Sequence, residues 1–263
     1  MVVSNNETWY GWMDEGFNQY MNILSAADRQ GVPPDLNGPG QSYGRMSGDE
    51  HEGSLMWDAN YGGPSYSFQA YSKTPLMLSM LGGIVGDTAV WRAQSEYEKA
   101  WRFKHPSPWD YAFFMSNALH KDLGWFWYYW LFTTESVDGS ILSVSQNGSR
   151  TTVVVHQAGQ MPSPVVLKVE LAPGSGASSM PNARMIDANT AIVTYPVDVW
   201  FGGSKTFRAD LDFGGRAVQK VTLDPNCRFP DRDPSDNVWP RGTAVTAAPA
   251  GRGGRGGGAA CGG

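Results

Sequence analysis

Trp12-Met13-Asp14-Glu15-Gly16-Phe17-Asn18 stands at the head of the first periodic stretch of the chain, and its reading decides what kind of domain follows. Phe17, Tyr20, Met21 and Leu24 recur at i, i+3, i+4 and i+7, the apolar stripe of an amphipathic helix. Glu15, Asn18, Gln19 and Asn22 fall away from that stripe. A carboxylate so placed can reach into a cleft and meet a metal held by another helix, or it can point into water. The residues alone favour water.

Downstream, the turn formers Gly, Pro, Asn, Asp and Ser crowd residues 31–63, which reads as a long ordered excursion bordering a cleft. Helices are expected over 71–81 and 88–103, the second stopped by Lys104-His105-Pro106. Ser107-Pro108-Trp109-Asp110 then supplies an N-cap serine, a proline at the first helical position and an acid at the third, predicting a helix to about Leu119. Asp122 is read as the cap of a further helix whose residues 123–131 are aromatic or apolar nearly all round, so burial between neighbours is expected. Core packing is preferred here over a sugar-stacking platform, because aromatics at helical spacing most often serve a core.

Past Val137 the period changes to two. Val165, Leu167, Val169 and Leu171 alternate with polar or outward positions, as do Phe207, Ala209, Leu211 and Phe213. With 151–156, 191–199 and 218–223 this gives five or more short strands between Gly, Pro and Asn turns, a β-sandwich pattern. The fold class expected is α+β and multidomain: a helical part over 1–135, a β-sandwich over 136–239, and a disordered Gly-rich tail over 240–263. The stretch 224–239, Pro-rich and acidic, is expected to lie over the surface.

A net charge of -5 argues against a broad polyanion-binding face, so no nucleic-acid partner is expected. Arg252 and Arg255 lie in an RGG-like tail that reads more simply as low complexity. The longest apolar run, 123–132, is too short to span a bilayer, so no transmembrane segment is expected. Only Cys227 and Cys261 are present, which gives no basis for a disulfide framework.

Trp12 to Phe17 resembles the W-x-(N/D)-E-G-F signature of the M1 family of zinc metallopeptidases, the gluzincin aminopeptidases. That resemblance implies that Glu15 is the third zinc ligand of a His2Glu site. The family's two His ligands and general-base Glu come from a helical H-E-x-x-H one fixed spacer upstream. The four histidines of this chain, His51, His105, His120 and His156, form no such motif, and His51-Glu52 is followed by Gly53-Ser54-Leu55. Counting back from Glu15 places the missing motif ahead of Met1, so the chain is expected to be the C-terminal portion of such a peptidase and inactive alone.

Tyr71-Ser72-Lys73 resembles the family's Y-x-K, which implies that the Tyr71 hydroxyl donates to the oxyanion of the tetrahedral intermediate. Thr74-Pro75 departs from the pattern at the next position, and Tyr66 is a competing donor without the lysine. Trp101 to Pro106, Asp122 to Trp127 and Val221 to Trp239 are similar to the helical and C-terminal sandwich parts of bacterial relatives. Asp14 stands where many relatives have Asn, and is read as an acid that orients ligands. The resemblance implies zinc as cofactor, a peptide as substrate, and a periplasmic or extracellular setting for the complete protein.

Two other functional classes fit parts of the sequence. A non-catalytic interaction module derived from a peptidase would use the Trp-rich face or the sandwich. A glycoside-acting enzyme would use Glu50 and Glu52 near Trp57 as acid and base; a solvated acidic loop explains those residues better.

Overall fold

The computed structural model describes residues 2–43, 47, 52–61, 65–176 and 180–241. They form two compact units, 2–136 together with 228–230, and 137–227 together with 231–241.

The helical unit begins with a π-helical turn, Trp12–Gly16, that runs directly into α1, Phe17–Gln30. Gly31 ends α1 in the left-handed conformation (φ 66°), with its N–H bonded back to Ala27 and Asp28. A short α2, Gly38–Tyr43, interrupts the turn-rich region that the sequence reads as loop. A long helix then rises in three parts: α3 Tyr66–Phe68, a π turn Gln69–Lys73, and α4 Thr74–Val85. It starts five residues before the expected Tyr71, so Tyr71 lies within the helix rather than at its entrance. Pro75 explains the widened turn. A proline has no N–H for the carbonyl four residues back, here Tyr71, and its ring crowds that carbonyl; a π turn relieves the crowding without breaking the helix.

α5, Asp87–Ala100, and α6, Pro108–Ala118, follow. The α6 start is as read: Ser107 accepts from the Asp110 N–H while Asp110 accepts from the Ser107 N–H. Asp122 Oδ1 accepts from the Gly124 N–H at the head of α7, Gly124–Trp127, which passes into a third π turn, Tyr128–Phe132. This last segment is not buried all round. Phe126, Trp127, Trp130 and Leu131 are buried, but Tyr128 and Phe132 are exposed beside Trp109 and Phe113 of α6. Among the described residues no helix is long and apolar enough to cross a membrane.

The second unit holds two antiparallel sheets. One has the order β1-β2-β6, with β1 Gly139–Asn147, β2 Arg150–Gln157 and β6 Thr206–Asp212. The other has the order β4-β5-β3-β7-β8, with β3 Val165–Leu171, β4 Ala183–Met185, β5 Thr190–Tyr195, β7 Val218–Leu223 and β8 Val238–Trp239. β3 alternates perfectly, with Val165, Leu167, Val169 and Leu171 buried, as a strand with one face on a core must. β5 ends earlier than the expected 191–199, because Pro196 cannot donate to the ladder. Tyr195 of one sheet meets Phe207 of the other edge to face, ring centroids 4.9 Å apart.

One expectation is overturned in part past β7. The stretch 224–239 does not simply lie over the surface: Cys227, Phe229 and Pro230 are buried, and β8 pairs with β7. The expected tail, apart from Pro240 and Arg241, lies outside the described residues, as do Glu50 and His51.

Asp231 carries a pH prediction. Its carboxylate accepts from the Gly139 and Asp233 N–H groups (3.1 and 2.9 Å) and from Asn237 Nδ2 (3.0 Å). Burial outweighs these donors and pushes its pKa up to about 7. An unfolded chain releases this proton near pH 4, whereas the folded protein holds it until about pH 7, so stability falls as pH rises across that window. We expect a loss of roughly 1–3 kcal/mol between pH 4.5 and 7.5 from this residue. Urea unfolding across that range should show it, and Asp231→Asn should flatten the slope whatever it does to absolute stability.

Candidate active site

The signature residues divide between core and cleft. Trp12 is 2 % exposed and packs edge to face on Phe17 at 5.6 Å, five positions away, a neighbourhood that a π turn creates. Both rings join a cluster with Tyr97, Tyr111 and Trp127; Tyr111 lies 4.7 Å from Phe17 and 4.8 Å from Tyr97. Tyr111 donates to Gln94 Oε1 at 2.9 Å. With Trp12 and Phe17 turned into this cluster, Asp14 and Glu15 between them are held half-exposed at the surface of the turn.

The turn lies against the long α3–α4 helix, and two glycines set the distance. A Cβ at Gly11 would fall 2.3 Å from Tyr66 Oη, and one at Gly16 would fall 2.2 Å from Thr74 Cβ. Gly16→Ala should therefore destabilise the protein by about 1–3 kcal/mol through overpacking against the fully buried Thr74. Thermal unfolding measures this, and an unchanged melting temperature would contradict the close approach.

That approach brings Glu15 and Tyr71 together. The Glu15 carboxylate nearby, ahead of burial and of the neighbouring Tyr66 and Asp14, pushes the Tyr71 pKa up to about 12. Tyr66 is raised as well, by burial first and then by Glu15, Asp14 and Glu7. Asp14 is raised by burial, then by Glu7 and Glu15. Three carboxylates and two phenols thus share one face. Its field is negative, both phenols keep their protons at neutral pH, and a cation would relieve the repulsion.

Behind Tyr71 the same π turn is anchored by a buried polar group. Lys73, fully buried, pairs with Glu52 Oε1 at 2.7 Å, and Glu52 also accepts from the Tyr43 hydroxyl. Lys73 Nζ reaches the Thr133 carbonyl at 3.4 Å and stands 5.9 Å from the centre of the Tyr43 ring. Tyr43 in turn stacks on Phe68, 5.5 Å apart and 5° from parallel. Burial lowers the Lys73 pKa against the opposing pull of Glu52, and it raises that of Tyr43. Glu52 is thereby removed from the role of an acid or base near Trp57: its carboxylate is spent on an internal ion pair, away from any open cleft. Sequence reasoning singled out Lys73 only as part of Y-x-K and missed Tyr43 altogether.

Among the described residues no group of three or more His, Cys, Asp and Glu is placed to hold a metal ion. Glu15 and Asp14 are neighbours, but the described residues taken alone do not make a zinc site.

No family model and no curated protein sequence matches the chain. Solved structures do. An aminopeptidase A of Legionella pneumophila, crystallised in complex with aspartic acid, is similar at a TM-score of 0.60 and 12 % identity over 87 % of this chain. This chain spans 24 % of that protein's length. A chitin-binding domain of a Pyrococcus furiosus chitinase aligns over 34 % of this chain and 93 % of its own, at 22 % identity and a TM-score of 0.23, too low to bear on the fold. At these identities the first likeness speaks to architecture: mixed helices and antiparallel sheets, arranged as in part of an aminopeptidase.

Proposed function

We propose that this chain carries part of the active site of a zinc-dependent peptidase of the aminopeptidase type, with Glu15 as a metal ligand and Tyr71 as the oxyanion donor. The observation that carries the reading is the nearness of Glu15 to Tyr71, residues 56 positions apart that two separate motifs single out, where the glycines of one turn approach the helix that carries the other. The likeness to an aminopeptidase fold supports it. The described residues do not complete a metal site, so in this reading two His ligands and a general base come from an H-E-x-x-H that these 263 residues do not contain.

Zinc in such a site supplies Lewis acidity to the scissile carbonyl. What this chain's residues do is separable from that. Tyr71, its pKa pushed up to about 12, holds its proton throughout the neutral range. It is therefore a donor and not a base, which is what a developing oxyanion needs. In this reading Glu15 orients that hydroxyl, and Gly16 lets its turn come close to the helix that carries Tyr71.

The test uses the protein purified from its natural source, with its N-terminus and metal content measured, beside the Glu15→Gln and Tyr71→Phe variants of that same gene product. Bound zinc that Glu15→Gln removes, and a kcat on amino-acid arylamides that Tyr71→Phe lowers by about a hundredfold or more with zinc retained, are expected. A native product without zinc or peptidase activity would replace this reading with that of a non-catalytic module.

A further inference from the structure

Tyr71 also borders a groove of about 470 Å³, within the size range of ligand sites. One wall is α1: Gln19, Ile23, Ala26, Ala27 and Gln30 line it, spaced at i, i+4, i+7, i+8 and i+11. That is a single helix stripe, and Glu15 sits one turn before its first member, on the same face. Val32, Pro33, Asp35, Gly38 and Pro39 line the groove as well, together with Tyr71, Ser72 and Pro75 of the long helix. Eleven residues at about 1.5 Å each give the stripe a length of roughly 16 Å, which matches about five residues of extended chain.

The lining chemistry selects what fits. Among the described residues the groove's lining holds no Lys, Arg or His, so an acidic side chain finds no partner among them. Asp35 is the one carboxylate among them, and Asp35 Oδ1 already accepts from the Asn37 and Gly38 N–H groups, at 3.1 and 2.9 Å. Ile23, Ala26, Val32 and three prolines offer apolar contact, while Gln19 and Gln30 offer amides that suit a peptide backbone. We propose that this groove binds an extended, uncharged, apolar stretch of polypeptide of about five residues, running along α1 away from Tyr71. The inference rests on the peptidase reading for its orientation toward Tyr71, and it adds a preference in length and charge that the Glu15–Tyr71 pair does not supply.

Binding without turnover tests it. Fluorescence anisotropy of the metal-free chain would compare a labelled Ala-Leu-Ala-Val-Ala-Leu peptide with labelled Ala-Leu and with a hexapeptide carrying Glu at alternate positions. The apolar hexapeptide should bind at least about tenfold more tightly than either. Ala26→Arg, at a half-exposed position, should remove that advantage; Ile23→Arg serves the same purpose should Ala26→Arg fail to fold. Equal affinity for the three peptides, or hexapeptide binding indifferent to both arginines, would overturn the groove assignment. Because no metal or catalysis enters the readout, a native protein without zinc would leave this result standing, and a zinc peptidase indifferent to Ala26→Arg would fail the groove alone.

Discussion

Lys73→Met is expected to lower the free energy of unfolding by about 3–5 kcal/mol, the largest single loss among polar substitutions in the helical unit. The reason is an uncompensated charge. Methionine approximates the lysine stem in volume, so packing is nearly kept, but the Glu52 carboxylate remains buried and loses the ammonium 2.7 Å from it. Removing Glu52 instead, as Glu52→Leu, strands the ammonium and should cost as much. The double variant Lys73→Met/Glu52→Leu should recover most of the loss, since a buried ion pair replaced whole by apolar groups is often neutral. Chemical unfolding of the four proteins gives the coupling energy directly. Two single losses that simply add in the double variant would mean that the pair is not coupled, contrary to its 2.7 Å geometry.

Trp12→Ala should cost about 3–5 kcal/mol, through lost transfer energy and the cavity left in the aromatic cluster. The informative comparison is with Glu15→Ala. Glu15 is half-exposed at the surface of the turn, so its truncation should move stability by less than about 1 kcal/mol. A large effect at Trp12 and a small one at Glu15 would separate, inside one six-residue motif, the residues that hold the turn from the residue it presents. Comparable losses at both positions would mean that Glu15 is a structural residue and would weaken its reading as a ligand.

What could be read in the sequence is what local pattern dictates. The capping box at Ser107 and the alternating β3 rest on neighbours within a few residues, and both stand as read. The stripe Phe17, Tyr20, Met21 and Leu24 was only partly right: Tyr20 is buried, but Met21 is exposed, and Ala27 is the other buried residue of α1. The widened turn before α1 shifts which face meets the core, and a period of 3.6 does not anticipate it. β1 was missed because its buried residues, Gly139, Ser140 and Ile141, are consecutive and two of them are not apolar. In the candidate site, Glu15 and Tyr71 are singled out by their motifs, and the fold brings them near one another. Tyr43 and Glu52 were not found as a pair with Lys73, because they lie in a turn-rich region with no period, and only the tertiary fold brings them to the lysine.

The π turns at Trp12–Gly16 and Gln69–Lys73 give that history a last consequence. Each is, in effect, a helix carrying one residue more than regular winding would use. The meeting of Glu15 with Tyr71 is therefore set by chain length as much as by side-chain identity. Deleting Ser72 would leave every proposed functional side chain in place and still swing Tyr71 out of line with Glu15. Relatives that conserve both residues while differing by one position between Tyr66 and Pro75 would look intact in an alignment and be mis-aimed in space.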